Sequence, residues 1–107
     1  MAKAHRTFSD SWYRIASVQV ALRPTVFAHK QRFRGEDWYL LHDPFNNRFF
    51  RVRPEVWRFL ARLERGRTVD EVWRGRLEND PEGAPGQEEV VQLLTQLHHA
   101  NLLYYDT

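Results

Sequence analysis

The chain has no cysteine among its 107 residues, which excludes disulfide scaffolds, thiolate zinc fingers and thiol nucleophiles together and fits a reducing, cytoplasmic setting. It has no apolar run near the ~20 residues that a membrane-spanning helix needs. The opening MAKAHRTFSDS lacks the apolar stretch of a signal peptide. A further absence is local. Residues 77–107 contain six acids and no lysine or arginine, whereas residues 1–47 carry seven basic and four acidic side chains and residues 48–76 carry nine and four. The net charge of +2 therefore conceals a basic body and an acidic C-terminal third.

The signatures of common chemistries are missing as well. No G-x-S-x-G elbow surrounds any of the hydroxyls Thr7, Ser9, Ser11, Ser17, Thr25, Thr68, Thr95 and Thr107, and there is no G-x-G-x-x-G or Walker-type loop. The histidines show no H-E-x-x-H spacing; His98 and His99 are adjacent and point to different faces of a helix. His29 and His42, on neighbouring predicted strands, can meet, but as two imidazoles without a third ligand. These patterns predict a protein without enzymatic activity, metal or cofactor.

At 42% hydrophobic, 14% aromatic and 28% charged residues, the chain reads as one globular domain that buries roughly two-thirds of its unfolded surface. Residues 1–17 read as a mobile N-terminal segment, with a short helical turn where Ser9 or Asp10 caps the pair Trp12 and Ile15; the domain proper spans 18–107. Val18 to Leu22 alternates and is closed by Pro24. Thr25 to Phe33, Asp37 to His42 and Arg48 to Val52 are β-rich, separated by Arg34-Gly35-Glu36 and by Asp43-Pro44-Phe45-Asn46-Asn47. Two hairpins in succession predict a three-stranded antiparallel meander.

Pro54 then changes the period. Val56, Phe59, Leu60 and Leu63 form one helical stripe that Gly66 stops, and Thr68-Val69-Asp70-Glu71 is a capping box opening a second helix with Val69, Val72, Trp73 and Leu77 inside. After the loop Asn79 to Gly86, Gln87 to Ala100 makes a third helix with Val90, Val91, Leu94, Leu97 and His98 at core spacing, and Leu102 to Tyr105 can end as a short strand. The expectation is an α+β domain of winged-helix type, a three-stranded meander followed by three helices, with Trp57, Leu60, Val72, Trp73, Leu94 and Leu97 in one core. Trp38, Tyr39, Phe45, Phe49, Phe50 and Trp57 also read as core, except that Phe49 and Phe50 face opposite sides of one strand, so only one of them points inward.

A winged helix with 14 arginines is also the frame of a DNA reader. Against that, a reading helix late in the trio would be acidic and would repel phosphate, so no nucleic-acid partner is expected.

The runs Leu22-Arg23-Pro24, Leu41-His42-Asp43-Pro44, Arg51-Val52-Arg53-Pro54 and Gly66-Arg67-Thr68-Val69-Asp70-Glu71 resemble the PqqD-like family, also called RiPP recognition elements. Its members are small winged-helix domains that bind the leader of a ribosomally made precursor peptide. Ser11-Trp12-Tyr13-Arg14, Tyr39-Leu40-Leu41 and the Leu93 to Leu103 segment are similar to the PqqD-like portion at the N-terminus of membrane site-2-type metallopeptidase or secretion-adaptor polyproteins. On that likeness the chain is a domain cut from a larger protein, here without a metal motif.

The resemblance implies a precursor peptide added as a strand beside the third meander strand, in a groove against the third helix, and a modifying enzyme, membrane peptidase or transporter domain as the further partner. It implies a cytoplasmic location, including the cytoplasmic domain of a membrane protein. The expected peptide-binding residues are Arg48, Phe49, Phe50, Arg51 and Arg53 on the strand and Val90, Leu93, Leu94 and Leu97 on the helix, with either Phe49 or Phe50 as the aromatic floor. Leu94 and Leu97 hold the core while Leu93 faces the groove. Arg51 and Arg53 on one side and Glu88 and Glu89 on the other read charges at opposite ends of the peptide. The open strand edge is equally suited to pairing with a second copy of the chain.

Overall fold

A computed structural model describes residues 8–105. Five strands and three helices follow in the order β1 (Val20–Leu22), β2 (Phe27–Phe33), β3 (Glu36–Asp43), β4 (Arg48–Val52), α1 (Pro54–Leu60), α2 (Val69–Asn79), α3 (Gln87–His99) and β5 (Leu103–Tyr105). The strands β2, β3 and β4 form the expected antiparallel meander, and β1 pairs antiparallel with β5 in a separate two-stranded sheet. The molecule is α+β.

Both hairpins of the meander follow from turn chemistry. Arg34 and Gly35 have φ of 54° and 81°, the left-handed pair that a two-residue turn requires and that glycine adopts freely. In the second turn the Asp43 carboxylate accepts the Phe45 N–H at 3.0 Å, and the left-handed Asn47 (φ 54°) donates its N–H to the Asp43 carbonyl at 2.8 Å. These bonds satisfy Asp43, which is buried at 2% exposure.

Pro54 opens α1, as a proline without an N–H can in a first helical turn. The helix ends at Leu60, short of the Gly66 stop read from the sequence, because the chain tightens into i→i+3 bonds from Arg62 N–H to Phe59 and from Leu63 N–H to Leu60. Leu63 remains buried all the same. The capping box of α2 forms as expected: the Thr68 hydroxyl accepts the Glu71 N–H at 3.1 Å, and the Glu71 carboxylate accepts the Thr68 N–H at 2.7 Å. Those bonds hold the Glu71 carboxyl below its ordinary pKa. Two further donors at this helix start are taken by the N-terminal segment, with Val69 N–H on the Val18 carbonyl at 2.9 Å and Asp70 N–H on the Ala16 carbonyl at 3.0 Å.

The segment 1–17 is therefore not a detached leader over the part the structure describes; residues 1–7 lie outside it. Trp12, in a single 3-10 turn (Trp12–Arg14), is buried at 8% exposure, packs on Trp73 with ring centroids 5.2 Å apart, and donates its indole N–H to Asp70 at 2.8 Å. Burial raises the Asp70 pKa, but the bonds from Trp12 and Arg74 outweigh that and leave it below its ordinary value. The sequence reading missed this docking because one tryptophan in a polar stretch carries no periodicity.

The core fills the space between the helices and the inner face of β3 and β4, with Leu41, Phe59, Leu60, Trp73, Val90 and Leu97 essentially inaccessible. Trp57 lies at its margin, half-buried and stacked on Tyr39 at 5.3 Å. The expectation that the sheet aromatics are core holds in part: Tyr39 and Phe50 pack against it and Phe49 is the outward-facing member of its pair, as alternation requires, but Phe45 does not join it. Phe45 and Phe49 are 85% and 56% exposed, and Trp38, Tyr39 and Phe50 only half-buried. The meander projects from the body, with every residue of β2 exposed, so only one face of β3 and β4 meets the helices.

Candidate functional site: a cleft between an edge strand and the third helix

The sheet order β2-β3-β4 leaves one side of β2 and one side of β4 unpaired. The two edges differ. Among the described residues nothing covers β2, which carries Lys30 and Arg32, the kind of charged residue that discourages strand pairing. Beside β4 lies α3, and between them opens a cleft of about 320 Å³ lined by Trp38, Phe50, Val52, Val56, Leu93 and Gln96 among others.

The two walls run in opposite directions, which the contacts at their ends establish. Where β4 begins, the Asn46 amide donates to the carbonyls of Ala100 and Asn101 just beyond α3. Where β4 ends, Arg53 forms an ion pair with Glu89 in the first turn of α3. The five residues of β4 extend about 17 Å at ~3.3 Å per residue, and α3 covers about the same distance between Glu89 and Ala100 at ~1.5 Å per residue. β4 and α3 are thus matched in length and bridged at both ends, and the cleft between them runs from Phe50 to Arg53 on the strand and from Glu89 to Gln96 on the helix.

Register settles which strand residues face it. Leu41 pairs with Phe50 and His42 with Phe49, so Phe50 shares the inner face with buried Leu41. Of the two aromatic candidates, Phe50 lines the cleft. Phe49 lies on the outer face, 56% exposed and stacked on the His42 ring with centroids 4.2 Å apart. Arg51 lies on that outer face too, and at the cleft mouth; its guanidinium sits over the rings of Phe33 and Trp38 at 5.2 and 5.7 Å. Arg48 is exposed at the start of the strand.

The helix wall departs from the sequence expectation. Val90, Leu94 and Leu97 are 0%, 5% and 0% exposed and belong to the core. They do not line the cleft. Leu93 does line it, but at 7% exposure it is also a core residue, so the idea that Leu93 turns away from the core is corrected. At ~100° per residue Leu93 sits only about 60° from Val90 and 40° from Leu97, within the width of one buried stripe. The side chains that α3 presents to the cleft from solvent are Gln92 and Gln96, one turn apart and exposed, which the sequence reading did not single out because they are polar.

The charge arrangement is corrected as well. Arg53 and Glu89 do not read opposite ends of a peptide but neutralise each other, with Glu55 a further partner of Arg53 at 3.8 Å. Glu88 is engaged by the Ser9 hydroxyl at 2.7 Å. No carboxylate among the described residues forms an ion pair with Arg48 or Arg51. The cleft is therefore an apolar floor with an amide wall on the helix side and net positive charge along the strand side.

Away from the cleft, His29 stacks on Phe27 and His98 meets Tyr105 edge-on. No group of three or more metal-binding side chains occurs among the described residues, and no helix among them is long and apolar enough to cross a membrane. Comparison of the chain with family models, with curated proteins and with solved structures finds no match.

Proposed function

We propose that this chain is a non-catalytic peptide-binding domain of winged-helix type, which takes up the leader of a ribosomally synthesised precursor peptide as an added strand on β4, against α3. The observation that carries the reading is an open strand edge beside a cleft with an apolar floor, whose other wall is α3. Free backbone groups on β4 satisfy those of an extended peptide, and the floor formed by Phe50, Val52, Val56 and Leu93 receives alternate side chains. The resemblance to PqqD-like domains supplies the partner class. A modifying enzyme, membrane peptidase or transporter domain is the recipient of the bound precursor.

Titration with the leader peptides encoded near the gene tests this, read by amide hydrogen exchange. Binding is expected to protect amides in 48–53 while those of β2 exchange as before. Protection of β2, or none, overturns the proposal. The same β4 edge offers pairing with a second copy; sedimentation with and without peptide separates the two, since a dimer that occupies the edge dissociates as leader is added.

A further inference from the structure

We infer that the peptide accepted on β4 carries an acidic residue flanked on both sides by apolar ones, the acid being read by Arg51. The inference rests on the strand-addition reading above and names the chemistry that the edge selects.

In a β-ladder, residues directly opposite one another share a face, and successive residues alternate between faces. A strand added to β4 therefore has its residues opposite Phe50 and Val52 on the inner face, over the apolar floor of Leu93 and Val56 and beside the uncharged amides of Gln92 and Gln96. The residue between those two lies opposite Arg51, on the outer face. The resulting apolar, acidic, apolar pattern reads the same in both directions, so it holds for parallel and antiparallel addition alike.

Arg51 is suited to this role by what holds it and by what does not. Arg53, two residues on, is neutralised by Glu89 and Glu55, whereas Arg51 has no ion-pair partner among the described residues. Its guanidinium rests over Phe33 and Trp38, which restricts its rotamers before any ligand arrives and reduces the entropy lost on forming a new pair. Unpaired Arg48 near the start of the strand adds to the same potential, and a lysine opposite Arg51 meets like charge.

Three labelled pentapeptides, each acetylated and amidated, test the pattern: Glu-Leu-Glu-Leu-Glu, Lys-Leu-Lys-Leu-Lys, and the rearranged Glu-Glu-Glu-Leu-Leu with the composition and charge of the first. The first is expected to bind at least tenfold more tightly than either of the others and to shift the amide resonances of residues 48–53. Arg51→Gln is expected to abolish its advantage over the lysine peptide and Arg51→Glu to reverse it, with melting temperatures of both variants confirming that they are folded. Equal binding of the two alternating peptides, with β4 amides shifting for each, overturns the role of Arg51 and leaves strand addition standing. Equal binding of the rearranged peptide reduces the effect to overall charge and overturns the alternation. Absence of any shift in 48–53 with all three overturns strand addition itself.

Discussion

Leu93 and Gln96 lie three residues apart on α3, both line the cleft, and the structure predicts opposite consequences for changing them. Leu93 is 7% exposed and packed in the core, whereas Gln96 is exposed. Removing a buried leucine side chain costs ~2–5 kcal/mol, depending on how far the site collapses. Because the space vacated by Leu93→Ala opens into the cleft, where water can enter, the lower part of that range, about 2–3 kcal/mol, is expected. A chain of 107 residues has an unfolding entropy of about 0.22 kcal/mol/K, so Tm should fall by about 9–14 °C.

Gln96→Trp adds bulk at the cleft mouth without disturbing the core. Its stability should stay within ~0.5 kcal/mol of the parent, a Tm change of about 2 °C. On the proposed function, peptide affinity should nevertheless fall at least ~tenfold, or 1.4 kcal/mol, because the indole occupies the place proposed for the peptide. Calorimetric melting together with peptide titration reads both quantities on each variant. A Leu93→Ala protein that melts with the parent would show that α3 is rotated from the orientation described, and undiminished binding by folded Gln96→Trp would remove the cleft from the site.

Trp12→Phe deletes the indole N–H donated to Asp70 and should cost about 1–2 kcal/mol in urea melts at pH 7. The Asp70 pKa is lowered in the folded protein, so its ionised form contributes stability above the ordinary value of 3.8 that is lost as pH falls through the folded-state pKa; the gap between parent and variant should narrow at pH 3, and a constant gap would mean that the loss is packing alone. Gly66 has φ of +90° and open space where a Cβ would stand, so Gly66→Ala meets no clash but should destabilise through backbone strain by about 1 kcal/mol or more, and an unchanged urea midpoint would contradict the left-handed turn between α1 and α2. Thr68→Ala removes the hydroxyl that caps α2 and should cost about 1 kcal/mol, with Thr68→Ser recovering most of it in the same melts.

The features legible from the residues alone are those whose chemistry acts within a few positions. Arg34-Gly35 and Asp43 to Asn47 specify hairpin turns, Pro54 opens α1, and Thr68 to Glu71 encode a cap, because each depends on the local backbone and one or two neighbouring side chains. The apolar stripe of α3 was legible for the same reason, as was the alternation that sets Phe49 and Phe50 on opposite faces. Everything that depends on which surfaces meet was decided by the tertiary structure. Alternation does not say which face of β4 is inner; that follows from packing against α3, which selects Phe50. A stripe on α3 does not say how wide its buried part is; that follows from neighbours on both sides, which enclose Leu93 and leave Gln92 and Gln96 at the cleft. The insertion of Trp12 beside Trp73, the union of β1 with β5 and the ion pair that cancels Arg53 against Glu89 each join residues 36 or more positions apart. Their partners are chosen by the shape of the folded chain, and that choice leaves Arg48 and Arg51 as the cations of β4 without an ion-pair partner among the described residues.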